Sequence, residues 1–257
     1  MRAALLTSLL LLAAVTTPAL AQSHDGHGGS ASTTGEALEN LRHETGGQRQ
    51  FVFSTDRFEY RTSDGEDEFL WDVDAWYGGR LNKLWIKSEA EYDRDEGAFH
   101  EAEIQLLWSR AITSYFDVQA GLRHDFAPGG NRTHAVAGLQ GLAPYWFEID
   151  AAAFLSNEGE LTAAIEAEYD LLLTQRLILQ PRAEVGFSAQ DMPDLETGAG
   201  LTGIEAGLRL RYEIVRQFAP YIGVEWTRSL GETADYARAA GEDVESTALV
   251  FGLRVWF

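Results

Sequence analysis

From Leu161 to Leu171 the odd positions carry Leu161, Ala163, Ile165, Ala167, Tyr169 and Leu171, while Thr162, Ala164, Glu166, Glu168 and Asp170 fall between them. A period of two marks a strand with one apolar and one polar face. After a turn near Leu173–Gln175 the alternation resumes, with Leu177, Leu179, Ala183, Val185 and Phe187 on one face and Arg176, Gln180, Arg182 and Glu184 on the other. Two such strands joined tightly predict an antiparallel hairpin. Strands of this length exceed what most soluble sandwiches use and match the about 9–11 residues needed to cross a hydrocarbon layer. The apolar face is therefore assigned to lipid.

The same alternation runs from Asp56 to the end and predicts about twelve strands, at 56–62, 67–77, 81–93, 98–111, 115–126, 132–142, 145–156, 160–171, 176–189, 201–215, 218–229 and 246–257. Short connections such as Gly78-Gly79-Arg80 and Ala143-Pro144 alternate with longer, acidic ones such as Gln190–Gly200 and Leu230–Glu245, as periplasmic turns and extracellular loops do. The expected fold is all-β: an antiparallel transmembrane β-barrel of about 12 strands, both ends on the periplasmic side. Aromatic residues at the strand ends suggest two interfacial girdles, with Trp76, Tyr77, Tyr145, Trp146, Tyr221 and Trp256 on the periplasmic side and Phe69, Tyr92, Phe126 and Phe154 on the other. Pro181 lacks an N–H for the ladder, which predicts a bulge there.

The first 21 residues read as a signal peptide: Arg2, an apolar run from Ala3 to Val15, and Ala19-Leu20-Ala21 before the expected cleavage. No later segment reaches the ~18–20 consecutive apolar residues of a membrane helix. Residues 22–55 are expected to form a disordered, His-containing N-terminal periplasmic tail, and 56–257 the outer-membrane barrel.

Charge and composition sharpen this picture. Losing the signal removes one basic residue and leaves 19 against 40 acidic ones. That balance excludes nucleic acid as a partner class and suits the attraction of cations. The absence of cysteine removes disulfides, thiolate metal sites and a cysteine nucleophile. Serine-nucleophile, zinc-hydrolase and phosphate-loop motifs are missing as well, so no enzyme is expected.

The polar faces would line the barrel interior with Asp72, Asp74, Glu89, Glu91, Glu101, Glu103, Glu148, Asp150, Glu166, Glu168, Arg182, Glu184, Arg209 and Arg211. Such a lumen is either filled by ion pairs or a cation-favouring pore, and in the hairpin above Arg182 falls within one pairing step of Glu166. Two sets of histidines are candidate metal ligands. Cleavage after Ala21 would leave Gln22-Ser23-His24, whose amine, two amides and imidazole form a square-planar nitrogen set for Cu(II), with His27 close by. Turns centred near Ile112 and Gly129 would align His100, His124 and His134 in a row near the extracellular rim, suited to Cu(II) or Zn(II); a shift of one residue breaks it.

Four blocks, Tyr169–Glu184, Gly141–Ser156, Leu208–Val224 and Arg238–Asp243, resemble the copper resistance protein B family, over roughly Asp56–Phe257. The resemblance implies an outer-membrane protein of bacterial copper tolerance. Copper would be its bound or transported ion, outer-membrane lipid its surroundings, and a periplasmic multicopper oxidase its partner. The residues alone leave open a general cation-favouring channel and a non-conducting docking barrel.

Overall fold

The computed structural model describes residues 49–257 apart from 64–65, 95–96 and 127–129; the expected signal segment and most of the tail, with His24 and His27, lie outside these residues. Thirteen hydrogen-bonded strands form one antiparallel sheet: β1 (Gln50–Ser63), β2 (Glu66–Gly78), β3 (Asn82–Asp93), β4 (Ala98–Ala111), β5 (Phe116–Asp125), β6 (Arg132–Ala143), β7 (Phe147–Ser156), β8 (Leu161–Glu168), β9 (Leu171–Leu172), β10 (Leu177–Ser188), β11 (Gly200–Tyr212), β12 (Phe218–Ser229) and β13 (Glu245–Trp256). The sheet closes where β13 returns to β1, Ser54 lying opposite Trp256 and Thr62 opposite Leu249. β8 and β9 are halves of one stave, because Glu168 opposite Arg182 and Leu171 opposite Leu179 keep a single register. The molecule is thus a closed twelve-stave antiparallel barrel.

The bulge expected at Pro181 is not formed. Tyr169 N–H donates to the Pro181 carbonyl at 3.1 Å, Pro181 has no N–H to return, and the β8–β9 ladder opens at Tyr169–Asp170 without changing register. A bulge occurs instead at the start of the barrel, where Thr55 opposes Val73 and Arg57 opposes Asp72, leaving Asp56 as the extra residue. This reverses parity along β1, so that Ser54 shares a face with Asp74, while Arg57, Glu59 and Arg61 share one with Asp72. The first strand also begins at Gln50 rather than Asp56, so residues 50–55, assigned above to the tail, belong to the barrel wall.

Outward positions are exposed and apolar, including Leu84, Ile86, Leu106, Trp108, Leu122, Ile165, Ile222 and Phe251, the band a bilayer would cover. No helix among the described residues is long and apolar enough to cross a membrane. One end of the barrel carries short turns, among them Pro144–Trp146, where Tyr145 and Trp146 both take φ of 68° and stay exposed. The other end carries longer loops, including a helix, α1 (Gly231–Ala240), which buries Ala234 and Ala237. Three aromatics assigned to girdles point inward. Phe154 packs with Leu107 and Val136, Trp76 lies against Trp85 with centroids 6.0 Å apart, and the buried Tyr221 hydroxyl donates to Glu59 at 3.0 Å.

Candidate functional site

Strand alternation aims most of the charged strand positions at the lumen, where they sort into three groups. The first is a fully buried plug. Arg209 donates to both oxygens of Glu59, through Nε at 2.6 Å and Nη2 at 3.1 Å, and also pairs with Glu225. Arg61 reaches Glu59 at 3.1 Å, Glu225 at 2.7 Å and Glu91 at 3.1 Å. Glu59 is 0% and Glu225 2% exposed. Charges withdrawn from water to this degree are tolerable only when paired, and here two guanidiniums face two carboxylates within ion-pair distance. Gly252 makes room for the plug, since a Cβ there would lie 2.4 Å from the Tyr221 ring.

The second group surrounds Arg182, which lies opposite Glu168 in the ladder. Its guanidinium donates to Glu166 at 2.6 Å and Glu205 at 2.9 Å, and it also pairs with Glu184. Nearby, Arg57 bridges Asp72 at 3.2 Å and Glu89 at 2.5 Å, and Arg211 bonds Asp170 at 2.6 Å and Gln180 at 3.2 Å. Arg57 and Arg61 are absent from the charges predicted above, although the period-two run Arg57-Glu59-Arg61 carried the signal.

The third group lines a cavity of about 350 Å³. Ten carboxylates border it: Asp56, Asp72, Asp74, Glu89, Glu103, Glu148, Asp150, Glu166, Glu168 and Glu184. Four cationic groups oppose them, Arg57, Lys87, Arg123 and Arg254. Leu107, Val136 and Phe154 form an apolar wall of the same space. Lys87 Nζ crosses from β3 to Asp150 on β7 at 2.9 Å. An excess of carboxylates in a confined space concentrates cations and offers hard oxygen ligands. Thioether ligation has little footing in the barrel, since its one methionine, Met192, is buried in the β10–β11 loop.

Most predicted lumen residues therefore meet in the cavity or the Arg182 cluster. Glu91 and Arg209 serve the plug, Arg211 pairs with Asp170 beside the Arg182 cluster, and the Glu101 side chain lies outside the described parts, its backbone opposite Glu91. The histidine row is not formed. The β4–β5 register sets Ile104 opposite His124, and the β5–β6 register sets Thr133 opposite His124 and Arg123 opposite His134. Neighbouring positions in a strand face opposite ways, so His124 and His134 lie on different faces of the wall. His124 Nδ1 is 2.9 Å from Thr133 Oγ1, whereas the buried His134 has Nε2 3.1 Å from Asp125. The His100 backbone sits at an irregularity between Glu91 and Tyr92 pairing, and its side chain is outside the described parts. At the long-loop end Glu158, Glu160 and Asp194 converge, and Arg132 already pairs with all three.

A closed barrel with an apolar outer band and an acid-lined, partly plugged lumen defines an outer-membrane β-barrel protein. Two porins share the fold. The NanC porin superposes with a TM-score of 0.54 at 10% identity, and the KdgM porin with 0.50 at 11%, each covering 80% of this chain and 99% of its own. The profile of the family described as copper resistance protein B precursor (CopB) matches residues 49–257. "Copper resistance protein B homolog" of Pseudomonas syringae pv. tomato is 48% identical over 205 residues, and "Copper resistance protein B" of Escherichia coli 47% over 207. Each alignment covers 80% of this chain and 69% of the relative. The chain belongs to the copper resistance protein B family, and its role lies in copper resistance.

Proposed function

We propose that this barrel is a non-catalytic component of the outer membrane that holds and passes copper ions, its short-turn end and N-terminal tail facing the periplasm. The observation that carries the reading is the cavity with ten carboxylates against four cationic side chains. A copper ion entering it would exchange waters for carboxylate oxygens while the surplus negative charge offsets its lost hydration. Gln22-Ser23-His24, with His27, would supply the nitrogen-rich Cu(II) site ahead of the barrel. His134, buried beside Asp125, is the rim histidine best placed to meet an ion entering the lumen.

A second reading, a non-conducting barrel that docks a periplasmic multicopper oxidase, draws support from the Glu59–Arg209–Glu225 plug, which occupies one side of the lumen. A general cation-favouring channel would share the acidic cavity but conduct without regard to copper.

The test is copper stoichiometry and the visible Cu(II) spectrum of the refolded mature protein, beside His24→Ala and a variant lacking residues 22–48, which stops short of β1. A tight equivalent with a square-planar nitrogen spectrum, lost in both variants, places binding in the tail. Copper retained without the tail places it in the barrel. No binding in any of them removes the copper-holding reading and leaves the docking barrel and the general channel.

A further inference from the structure

In a chain of formal charge −20, an arginine normally finds a carboxylate. Among the described residues, the arginines of the lumen and of the long-loop end all do, down to Arg228 with Glu245 and Arg238 with Asp235. Five described arginines have no ion-pair partner: Arg49, Arg80, Arg110, Arg176 and Arg216. All five are exposed, and all five sit at the short-turn end: before β1, in the β2–β3 turn, at the foot of β4, and in the turns before β10 and β12. Their separation around the circumference argues against a single globular acidic partner, which would need them gathered on one face.

Two of them, Arg49 and Arg80, line a groove of about 860 Å³ on the outer surface, bordered also by Tyr77, Leu81, Leu84 and Trp108. The Arg49 guanidinium lies 5.8 Å from the centroid of the Tyr77 ring. Arg110, two residues beyond the outward Trp108, sits opposite Asn82 at the groove's edge. Leu84 and Trp108 continue into the lipid-facing band. The groove thus offers guanidiniums at one end and an apolar track at the other, the two-part surface of an amphiphile with an anionic head.

We propose that this rim binds membrane phospholipids through their phosphates, with the Arg49–Arg80–Arg110 groove as its principal site. Guanidinium matches phosphate with paired, charge-assisted hydrogen bonds. At a membrane interface arginine can lay its stem on apolar surface while its head meets the headgroup layer. The free positive charges then complete an arrangement in which the bilayer supplies the missing anions.

The test is native mass spectrometry of the refolded mature protein in mild detergent, titrated separately with phosphatidylglycerol, diacylglycerol of the same acyl chains, and inorganic phosphate. The expected result is phosphatidylglycerol retention that falls at least about fivefold in the Arg49→Gln/Arg80→Gln/Arg110→Gln variant and is unchanged in Arg228→Gln/Arg238→Gln, with the lost contacts being charge-assisted ones. Heat-dependent mobility in SDS gels verifies that each variant is folded. Equal retention of diacylglycerol, undiminished retention by the triple variant, or displacement of the lipid by millimolar inorganic phosphate would each overturn the proposal.

Discussion

The Lys87 ammonium on β3 donates to the Asp150 carboxylate on β7 at 2.9 Å, crossing the lumen through the acid-lined cavity. A tethered cation there occupies space and charge that a mobile cation would otherwise use. Lys87→Gln should raise cation conductance in planar bilayers about two- to tenfold, because it removes positive charge from a field-focusing cavity. Lys87→Arg should leave conductance nearly unchanged. Equal currents from the wild type and Lys87→Gln would show that this bar does not control passage.

Glu59 accepts from Arg209, Arg61 and Tyr221 at full burial. Glu59→Ala removes the acceptor that Arg209 and Arg61 share, leaving them Glu225 and Glu91 and a buried excess of positive charge, at a cost of roughly 3–5 kcal/mol. The urea midpoint of the folded, heat-modifiable band reads this loss. Glu59→Gln retains an acceptor and should lose less; a midpoint at the wild-type value in Glu59→Ala would mean that water replaces the carboxylate.

Gly252 is required by its neighbour rather than by its own dihedral angles. A Cβ added there meets the Tyr221 ring at 2.4 Å, so Gly252→Ala should displace the ring from Glu59 and cost about 1–3 kcal/mol. Combined with Tyr221→Phe, the two losses should be less than additive, since both break one contact. Strict additivity would separate the glycine from the plug.

At the long-loop end, Ala199 N–H donates to Asp191 at 2.7 Å within the β10–β11 loop, and Gly198 N–H donates to Thr233 at 3.0 Å, joining that loop to α1. The Ala199 amide and the Glu232 carboxyl hold Asp191 below the ordinary carboxylate range. The hydrogen bond that Glu232 shares with Asp191 pushes Glu232 above it. The contribution of Glu232 is therefore complete below its ordinary value and is lost as pH rises through its raised one. That of Asp191 is lost as pH falls through its lowered one. Amide-exchange protection at Gly198 and Ala199, corrected for intrinsic rate, should peak at mildly acidic pH. Glu232→Gln should abolish the decline on the alkaline side, and a decline that persists in that variant would assign the effect elsewhere.

The barrel was legible because alternation is a local property that each stave repeats: Leu161 to Leu171 states which face meets lipid without reference to any neighbour. Its lumen residues followed from the same parity, as Arg182 beside Glu166 illustrates. The histidine row was not legible, since it depended on two strand registers, and registers are set by turns. Once the β5–β6 pairing puts His134 opposite Arg123 instead of His124, the two imidazoles occupy different faces.

The amino-acid order by itself determined the class of fold, the lipid-facing and lumen-facing positions, and the surplus of acid, because each depends on residue type and a period of two. Closure of the sheet decided what that surplus does. It brought Glu59 of the first strand onto Arg209, 150 residues away, swept Lys87 over to Asp150, and left five arginines, among the described residues, unpaired at one rim. Distances across a closed barrel depend on register, bulges and curvature together, and none of these is a property of a single strand.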